Sequence, residues 1–329
     1  MEFRSKNLLI TGGAGFIGSN FIQYVFDNNK EVNIYNLDLL TYAGNLKNTK
    51  KFKKNRRYKF IKGDITNSKK INQIFEEFKI DGVINFAAES HVDNSINNPE
   101  IFVKTNILGV FNLLNIALKF WMKKPFSFRK EFINARFHQI STDEVYGSIK
   151  KNSFSEDSPY RPNSPYSASK ASADMLVRSF NKTYGLNTTI SLCSNNYGCN
   201  QNIEKFVPKI IDCILSESSI PVYGNGSNVR DWIHVNDHCS AVYKIFSKSN
   251  SGEVYNVSSN NELSNIDLIN KISMYFNCKP KIKFVPDRFG HDFRYSINSK
   301  KIKEDLNWKP KFKLIDYLKN KYNFKNVNI

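Results

Sequence analysis

The chain has 329 residues and a formal net charge of +18, with 48 lysines and arginines against 30 aspartates and glutamates. Its length predicts one large and one smaller domain. No apolar stretch approaches about 18 residues and a strand pattern begins at residue 6, so we expect neither a membrane span nor a signal peptide. The cysteines form no C-x-x-C pair, which predicts free thiols in a cytoplasmic protein without a metal site: Cys193, Cys199, Cys213, Cys239 and Cys278.

The positive charge has two interpretations. The densest basic run, residues 50–57, is placed in a connector, and no helix-turn-helix, zinc finger or RNA-binding motif accompanies it. Lysine is abundant along the whole chain, which is the composition of a generally basic protein. We therefore predict no nucleic-acid partner, and we expect the charge to favour a diphosphate-containing substrate.

A glycine-rich turn follows the first predicted strand, residues 6–10. Gly12, Gly15 and Gly18 give the spacing G-x-x-G-x-x-G before an apolar helical pattern. Such glycines allow a tight turn, close approach to a pyrophosphate and close helix–strand packing. Alone the motif is also compatible with an ordinary turn. However, a second strand at residues 32–37 ends at Asp38, where a ribose-binding acid is expected, and this charge favours NAD over NADP.

The first half continues with strands alternating with helices. Strands are predicted at residues 58–61, 82–88 and 136–142, and helices at residues 71–78 and 105–118. This alternation predicts a doubly wound α/β fold with a parallel sheet. Ligands of such sheets bind beyond the carboxyl ends of the strands, which places residues 87–90 and 141–144 in a site.

Two groups of residues near this edge predict acid–base chemistry. Tyr166 and Lys170 are four residues apart and share one face of a helix, so the ammonium is expected to lower the pKa of the phenol and make it a base. Thr142, Asp143 and Glu144 follow a core strand. An alcohol oxidation needs only one base, so an additional acid and base predict a second step, such as the elimination of water. Two adjacent carboxyls at a strand end also occur in solvated turns.

The chain resembles the extended short-chain dehydrogenase/reductase family, within the NAD-dependent epimerases and dehydratases. The resemblance covers nearly the whole chain and rests on residues 41–46, 87–93, 141–147, 164–171, 193–198 and 230–232. The triplet at 142–144 is its most specific part, because 4-epimerases share the glycines and the Tyr/Lys pair without the triplet. The chain departs from the family pattern outside the catalytic set, at Leu39, Asn94, Leu192, Cys199, Ile203, Phe289 and Phe293.

The resemblance implies a Rossmann-type domain at residues 1–190 and a smaller α/β domain at 191–329, with interleaved segments. It implies dehydration of dTDP-glucose to the 4-keto-6-deoxy sugar, for deoxysugars such as rhamnose. Tyr166 would take the proton of the 4-hydroxyl, with Lys170 beside it and Thr142 positioning the hydroxyl. Glu144 would take the proton of carbon 5, and Asp143 would protonate the departing 6-hydroxyl.

The resemblance also assigns binding residues. The NAD-binding set is Gly12, Gly15, Phe16, Ile17, Gly18, Asp38, Leu39, Thr41, Asp64, Ile65, Ala87, Ala88, Ser90, Thr105, Tyr166, Lys170 and Asn196. The substrate-binding set is Ser90, Thr142, Asn195, Lys205, Phe206, Pro221, Tyr223, Arg230, Asn265, Asp287, Arg288 and His291. Structural roles remain open for several of these: capping by Asn195 and Asn265, an Arg230–Asp231 ion pair, and a core position for Tyr223.

Other functions fit parts of the pattern. A UDP-sugar 4-epimerase or UDP-sugar dehydratase would share the nucleotide turn and the redox pair. A catalytically silent protein that senses nucleotide-sugars or NAD is the alternative from outside the enzymes, and the complete catalytic set disfavours it. The helices at residues 105–118 and 166–184 resemble those that pair in family homodimers, so we expect a homodimer.

Overall fold

The computed structural model describes residues 5–322 of the chain. Its strands are β1 (Asn7–Thr11), β2 (Asn33–Asp38), β3 (Tyr58–Lys62), β4 (Gly82–Asn85), β5 (Met122–Lys124), β6 (Ser127–Phe128), β7 (Arg136–Thr142), β8 (Thr188–Cys193), β9 (Asn195–Tyr197), β10 (Ile220–Tyr223), β11 (Val229–His234), β12 (Val254–Val257), β13 (Glu262–Ser264) and β14 (Ile282–Val285). Seven of them form a parallel sheet in the order β12-β8-β7-β4-β1-β2-β3. This confirms the predicted doubly wound α/β fold. The chain reverses direction across the sheet between β1 and β4, which is where such folds bind ligands.

The helices are α1 (Phe16–Asn28), α2 (Ser68–Phe78), α3 (Val92–Asn97), α4 (Pro99–Phe102), α5 (Gly109–Trp121), α6 (Pro165–Tyr184), α7 (Phe206–Leu215), α8 (Val235–Lys248), α9 (Asn265–Tyr275), α10 (Lys300–Leu306) and α11 (Leu314–Lys321). Tight 3₁₀ turns occupy Leu46–Phe52, Lys130–Phe132 and Asp143–Tyr146, and a π-helical segment occupies Val103–Leu108. The basic connector predicted at residues 50–57 therefore begins inside a 3₁₀ turn.

The central sheet is buried on both faces because successive side chains of a strand point to opposite sides. In β1, Leu9 packs into a core shared with α5 and α6, whereas Leu8 and Ile10 pack into a second core shared with α1 and α8. All three side chains are fully buried. Strands covered on both faces are typical of parallel sheets, and they explain the nearly continuous apolar runs in the sequence.

Several boundaries differ from the sequence prediction. The strand predicted at 82–88 ends at Asn85, since the following residues leave the sheet and enter the ligand edge. Helix α2 begins at Ser68 rather than residue 71, because the Asn67 side chain accepts a hydrogen bond from Lys70 N at 3.0 Å and caps the helix. The short β5–β6 hairpin was not predicted.

The expectation that no apolar stretch approaches the length of a membrane span is wrong for one helical segment. The continuous helical segment Pro99–Trp121 spans 23 residues and is long and apolar enough to cross a membrane. Length and composition are weak evidence, because core helices of soluble proteins also meet this criterion. Part of its surface, including Leu113, Leu114 and Trp121, is fully buried in the core beneath the sheet. Its buried apolar side chains therefore pack within the protein, while others on the same segment, including Leu108 and Phe111, are exposed.

The second lobe contains two small sheets, β13-β11-β9 and β10-β14, with helices α7, α9 and α11 around one apolar core. Between its segments the chain returns to the large sheet: α8 packs on α1, and β12 pairs with β8. The exact division at residues 190 and 191 stays a prediction. The interleaving places β9 and the start of α7 against the ligand edge of the large sheet.

Candidate active site

A cleft of about 350 Å³ lies at the carboxyl ends of the central strands. Every residue predicted to bind NAD lines it: Gly12, Gly15, Phe16, Ile17, Gly18, Asp38, Leu39, Thr41, Asp64, Ile65, Ala87, Ala88, Ser90, Thr105, Tyr166, Lys170 and Asn196. The catalytic candidates Thr142, Asp143 and Glu144 line the same cleft. The fold thus brings together residues that are more than 180 positions apart in the chain.

The glycine turn between β1 and α1 needs its glycines for steric reasons. Gly12 has a φ of +67°, and a Cβ there would lie 2.7 Å from the backbone nitrogen of Ala87. A Cβ on Gly18 would collide with the backbone oxygen of Gly12. No side chain caps the amino terminus of α1 at Gly15, so its backbone N–H groups remain available for an anion. This geometry fits the pyrophosphate of a dinucleotide.

Asp38 ends β2 at the rim of this turn. Its two carboxylate oxygens accept hydrogen bonds from Ala14 N at 2.9 Å and from Leu40 N at 2.8 Å, which fix its orientation. Burial raises the pKa of Asp38, and the two backbone hydrogen bonds oppose that shift. Each carboxylate oxygen has a further lone pair, so the side chain can still accept hydrogen bonds from ribose hydroxyls. The residues present therefore fit an adenine dinucleotide.

The two carboxyl groups lie on the 3₁₀ turn Asp143–Tyr146, directly after β7. Thr142 Oγ1 accepts a hydrogen bond from Glu144 N at 3.3 Å and donates one to Asp143 Oδ1 at 3.3 Å. Burial raises the pKa of Asp143 well above its usual range, and the Glu144 charge adds to the shift. Burial also raises the pKa of Glu144, but the Arg288 and Arg230 charges oppose it. The environments thus favour a protonated Asp143 beside a more readily ionised Glu144.

Tyr166 and Lys170 lie on the first turns of α6. This helix is well defined at its start, where the side chains of Ser164 and Ser167 each accept a hydrogen bond from the other's backbone N–H, with Pro165 at the first position. Both Tyr166 and Lys170 face the cleft, as their spacing predicts.

The electrostatics of this pair differ from the prediction. Lys170 Nζ donates a hydrogen bond to Ile140 O at 2.6 Å. Burial raises the pKa of Tyr166 well above its usual value, and the Glu144 charge adds to this, while a hydrogen bond with Thr142 opposes it. Burial also lowers the pKa of Lys170. The protein without a ligand therefore does not show the predicted lowering of the Tyr166 pKa by Lys170.

The predicted substrate residues divide into two groups. Ser90, Thr142, Asn195, Lys205 and Phe206 line the cleft. Lys205 Nζ donates a hydrogen bond to Ser90 O at 3.3 Å, so this cation bridges the two lobes. The remaining residues lie outside the cleft lining: Pro221, Tyr223, Arg230, Asn265, Asp287, Arg288 and His291. Of these, Pro221 is exposed on β10, and Asn265 begins α9.

Arg230 has no ion pair with Asp231, so that structural alternative is wrong. Its guanidinium donates to the backbone oxygens of Val229, Asp292 and Phe293 at 2.7 to 3.2 Å. Asp231 instead accepts hydrogen bonds from Ser194, Ser259 and Asn261. Buried Arg230 therefore anchors the end of the loop at residues 286–293 through its backbone oxygens.

That loop and the end of β10 also contact the first lobe, at Asp93. Tyr223 Oη donates a hydrogen bond to Asp93 Oδ2 at 3.1 Å, and Arg288 Nη1 lies 3.7 Å from Asp93 Oδ1. His291 Nδ1 lies 2.6 Å from Asp287 Oδ1. Tyr223 is 39% exposed, so the alternative of a core position is wrong.

Some cleft residues escaped the sequence analysis. Glu89, Tyr42 and Glu204 line the cleft, although only the first two fall within recognised sequence blocks. Buried Asp174 accepts a hydrogen bond from Ser141 Oγ at 2.5 Å, and burial raises its pKa to about 7. Asp174 lies four residues after Lys170, and this spacing was the available signal for it. The structure describes no group of three or more His, Cys, Asp or Glu in residues 5–322 that could hold a metal ion.

The chain is similar to proteins of known class over nearly its whole length. The family model described as GDP-mannose 4,6 dehydratase matches residues 9–320. A dTDP-glucose 4,6-dehydratase of Neisseria gonorrhoeae is 43% identical over 93% of this chain and 91% of its own.

Solved structures agree with the sequence relatives. A dTDP-glucose 4,6-dehydratase from Streptomyces venezuelae, solved with NAD bound, is 37% identical and superposes with a TM-score of 0.88 over 95% of each chain. Another from Bacillus anthracis, in complex with NAD, is 41% identical with a TM-score of 0.85 over 95% of this chain and 94% of its own. The chain therefore belongs to the dTDP-glucose 4,6-dehydratase family.

Proposed function

We propose that this protein dehydrates dTDP-glucose to dTDP-4-keto-6-deoxyglucose within one NAD-containing cleft. The observation that carries the proposal is the meeting of Thr142, Asp143 and Glu144 with Tyr166 and Lys170 in a cleft that also contains the glycine turn. A simple alcohol dehydrogenase needs only the second pair. The buried acid and base add the groups that an elimination requires.

The reaction has three stages: oxidation at carbon 4, loss of water across carbons 5 and 6, and reduction at carbon 6. NAD, when bound, would supply the hydride chemistry for the oxidation at carbon 4 and the reduction at carbon 6. The glycine turn and the amino terminus of α1 hold the pyrophosphate. Asp38 accepts hydrogen bonds from ribose hydroxyls, and its charge disfavours the 2′-phosphate of NADP.

Tyr166 takes the proton of the 4-hydroxyl during oxidation. Burial and the Glu144 charge raise the pKa of Tyr166 in the protein alone, so positive charge brought by NAD would help to activate it as a base. Lys170 donates a hydrogen bond to Ile140 O, and its remaining protons would bind the ribose of the nicotinamide nucleotide. Thr142 is close enough to Tyr166 to share the 4-hydroxyl between them.

Asp143 and Glu144 carry out the elimination. The raised pKa of Asp143 keeps a proton on this side chain for the departing 6-hydroxyl. Burial raises the pKa of Glu144, but the charges of Arg288 and Arg230 oppose this rise. Glu144 is therefore more easily ionised than Asp143 and able to take the proton on carbon 5. The new 4-ketone makes that proton acidic, so oxidation must come first.

The nucleotide end of the substrate lies toward the second lobe. Lys205 is the cation that the second lobe contributes to the cleft lining, and Asn195 contributes an amide to the same lining. We assign the remaining substrate contacts to Tyr223, Arg288 and His291, with Pro221, Asn265 and Asp287. A guanidinium matches phosphate oxygens, and we assign Arg230 and Arg288 to the diphosphate.

A homodimer and a cytoplasmic location complete the proposal. The helical segments from α4 to α6 expose several apolar side chains: Ile101, Val103, Leu108, Phe111 and Met175, each 40% to 53% exposed. Pairing of these helices with a second copy would bury them. All five cysteines are free, as in proteins of a reducing compartment.

The test is incubation of purified protein with dTDP-glucose and, separately, with UDP-glucose. Formation of a 4-keto-6-deoxy sugar is read from its alkali-induced absorbance and from the loss of one water in its mass. A faster reaction with dTDP-glucose supports the proposal. Isomerisation without loss of mass supports the epimerase alternative, faster dehydration of UDP-glucose supports the UDP-sugar dehydratase, and binding without turnover of either supports a sensor.

A further inference from the structure

The carboxylate of Asp292 connects its own segment, residues 292–295, to the loop before α6. It is only 6% exposed. Its Oδ1 accepts a hydrogen bond from Asn163 Nδ2 at 2.6 Å, and its Oδ2 accepts one from Tyr295 Oη at 2.8 Å. Asn163 lies in the loop just before α6, which carries Tyr166. The predicted site residues do not include Asp292, Asn163 or Tyr295.

Tyr295 lies between Asp292 and the elimination base. Its hydroxyl oxygen is 3.4 Å from Glu144 Oε2, against 2.8 Å from Asp292 Oδ2. A phenol has one proton, so it donates to the nearer carboxylate and leaves a lone pair facing Glu144. The ring is held in place by the Arg230 guanidinium, whose central carbon lies 4.1 Å from the ring centroid.

We propose that Asp292 is a positioning residue for elimination: by holding the Tyr295 proton, it denies ionised Glu144 a hydrogen-bond donor and offers protonated Glu144 an acceptor. This proposal rests on the assignment of Glu144 as the base for carbon 5. During elimination the proton moves from carbon 5 to Glu144, and the carbon–hydrogen electron pair forms the double bond as the 6-hydroxyl leaves with the proton of Asp143. The Tyr295 oxygen then accepts a hydrogen bond from the new Glu144 carboxylic acid.

The charges around Glu144 explain why the hydrogen bond between Tyr295 and Asp292 would help Glu144 to act as a base. Arg288, Arg230 and Lys205 all lower the pKa of Glu144, which would weaken it as a base. Burial and the Asp292 charge act in the opposite direction and raise that pKa. The other ionisable groups facing it are Asp143, Tyr166 and Tyr295. Asp292 thus offsets the lowering of the Glu144 pKa by the cations that a diphosphate substrate requires.

The experiment follows single turnovers with dTDP-glucose in stopped flow for wild-type, Asp292→Ala, Tyr295→Phe and the double variant. The rise of NADH absorbance reports oxidation, and its fall reports elimination and reduction. In Asp292→Ala, Tyr295 is released to donate to Glu144 and stabilises its ionised form. We expect the fall to slow about tenfold, with the acid limb of its pH profile moved down by about one unit, while the rise changes little.

The double variant separates the hydrogen bond from the charge. In a Tyr295→Phe background no proton can be redirected, so Asp292→Ala should retain only the smaller effect of its lost charge. An equal shift in both backgrounds, or no shift in either, would overturn the proposal. If the wild-type protein forms no product from dTDP-glucose, the proposed function itself is contradicted. The two failures are therefore distinguishable.

Asn163→Ala is the matched structural control. It removes the other hydrogen bond of Asp292 but leaves the acceptor for Tyr295, so the pH profile should stay in place. A shift equal to that of Asp292→Ala would show a general loss of packing and would overturn the assignment. If Asp292→Ala fails to fold, Asp292→Asn replaces it, because its neutral amide oxygen is a weaker acceptor of similar shape; a smaller shift in the same direction is then expected, and none would count against the proposal.

Discussion

Lys170 is anchored to the backbone oxygen of Ile140 on the neighbouring strand, through a 2.6 Å hydrogen bond. One ammonium proton is therefore committed to β7, which fixes the side chain at the edge of the sheet. Two protons remain for ligands in the cleft. The lysine is thus positioned by the fold itself.

Replacing Tyr166 with phenylalanine should reduce turnover by about a hundredfold or more, because the proton acceptor of the 4-hydroxyl is lost. NAD binding should remain close to wild type, since the glycine turn at residues 12–18 is untouched. Steady-state rates with dTDP-glucose and NAD titration of the apo-protein provide the two measurements. Wild-type turnover in the variant would show that another group is the base.

Asp38 should determine the preference for NAD over NADP. Asp38→Ala removes the charge that repels a 2′-phosphate and should narrow the difference between the two dissociation constants. The same change also removes the acceptors of Ala14 N and Leu40 N, so some loss of NAD affinity is expected. Equal affinities of the wild-type protein for both cofactors would contradict the role of this carboxylate.

A double variant, Asp143→Asn with Glu144→Gln, should separate oxidation from elimination. Tyr166 and Lys170 remain, so hydride transfer from carbon 4 should still occur, but neither the carbon 5 proton nor the 6-hydroxyl can leave easily. A single turnover should show NADH absorbance that rises and persists, with little 4-keto-6-deoxy product. Product formation at the normal rate would remove these residues from the elimination. The retained rise serves as the internal control for substrate positioning.

Buried histidines should make the fold sensitive to acid. His138 and His238 are fully buried, and burial lowers the pKa of each to about 3. In the unfolded chain the pKa is about 6.5, so the unfolded state binds more protons at intermediate pH. Their contribution to stability is fully present above pH ~6.5 and is lost as the pH falls toward ~3, by about 1.4 kcal/mol per pH unit for each group.

Denaturant unfolding across this range measures the slope of stability with pH. His138→Gln should reduce the slope while keeping a polar partner for Thr189 or Ser191, whose hydroxyls lie 2.8 and 3.0 Å from the His138 ring nitrogens. The free energy of unfolding at neutral pH serves as the reference for each protein. An unchanged slope would show that His138 is already protonated in the fold or does not titrate differently on unfolding.

Local pattern alone determined the glycine turn, Asp38 at the end of β2 and the Thr142–Glu144 turn after β7. Each depends on residues close together in the chain, and the alternation of strands with helices places strand ends at one edge. The same reasoning located Tyr166 and Lys170 on one helix face, because helical spacing is a local property.

Tertiary structure decided which partners the charged groups have. Arg230 donates to the backbone oxygen of Asp292, 62 positions away, rather than pairing with its neighbour Asp231. Tyr295 lies beside Glu144 across 151 positions. The apolar segment Pro99–Trp121 likewise owes its buried face to packing against the rest of the core. Such contacts depend on how distant segments pack, and burial then sets the pKa of each group, so neither spacing nor composition reveals them.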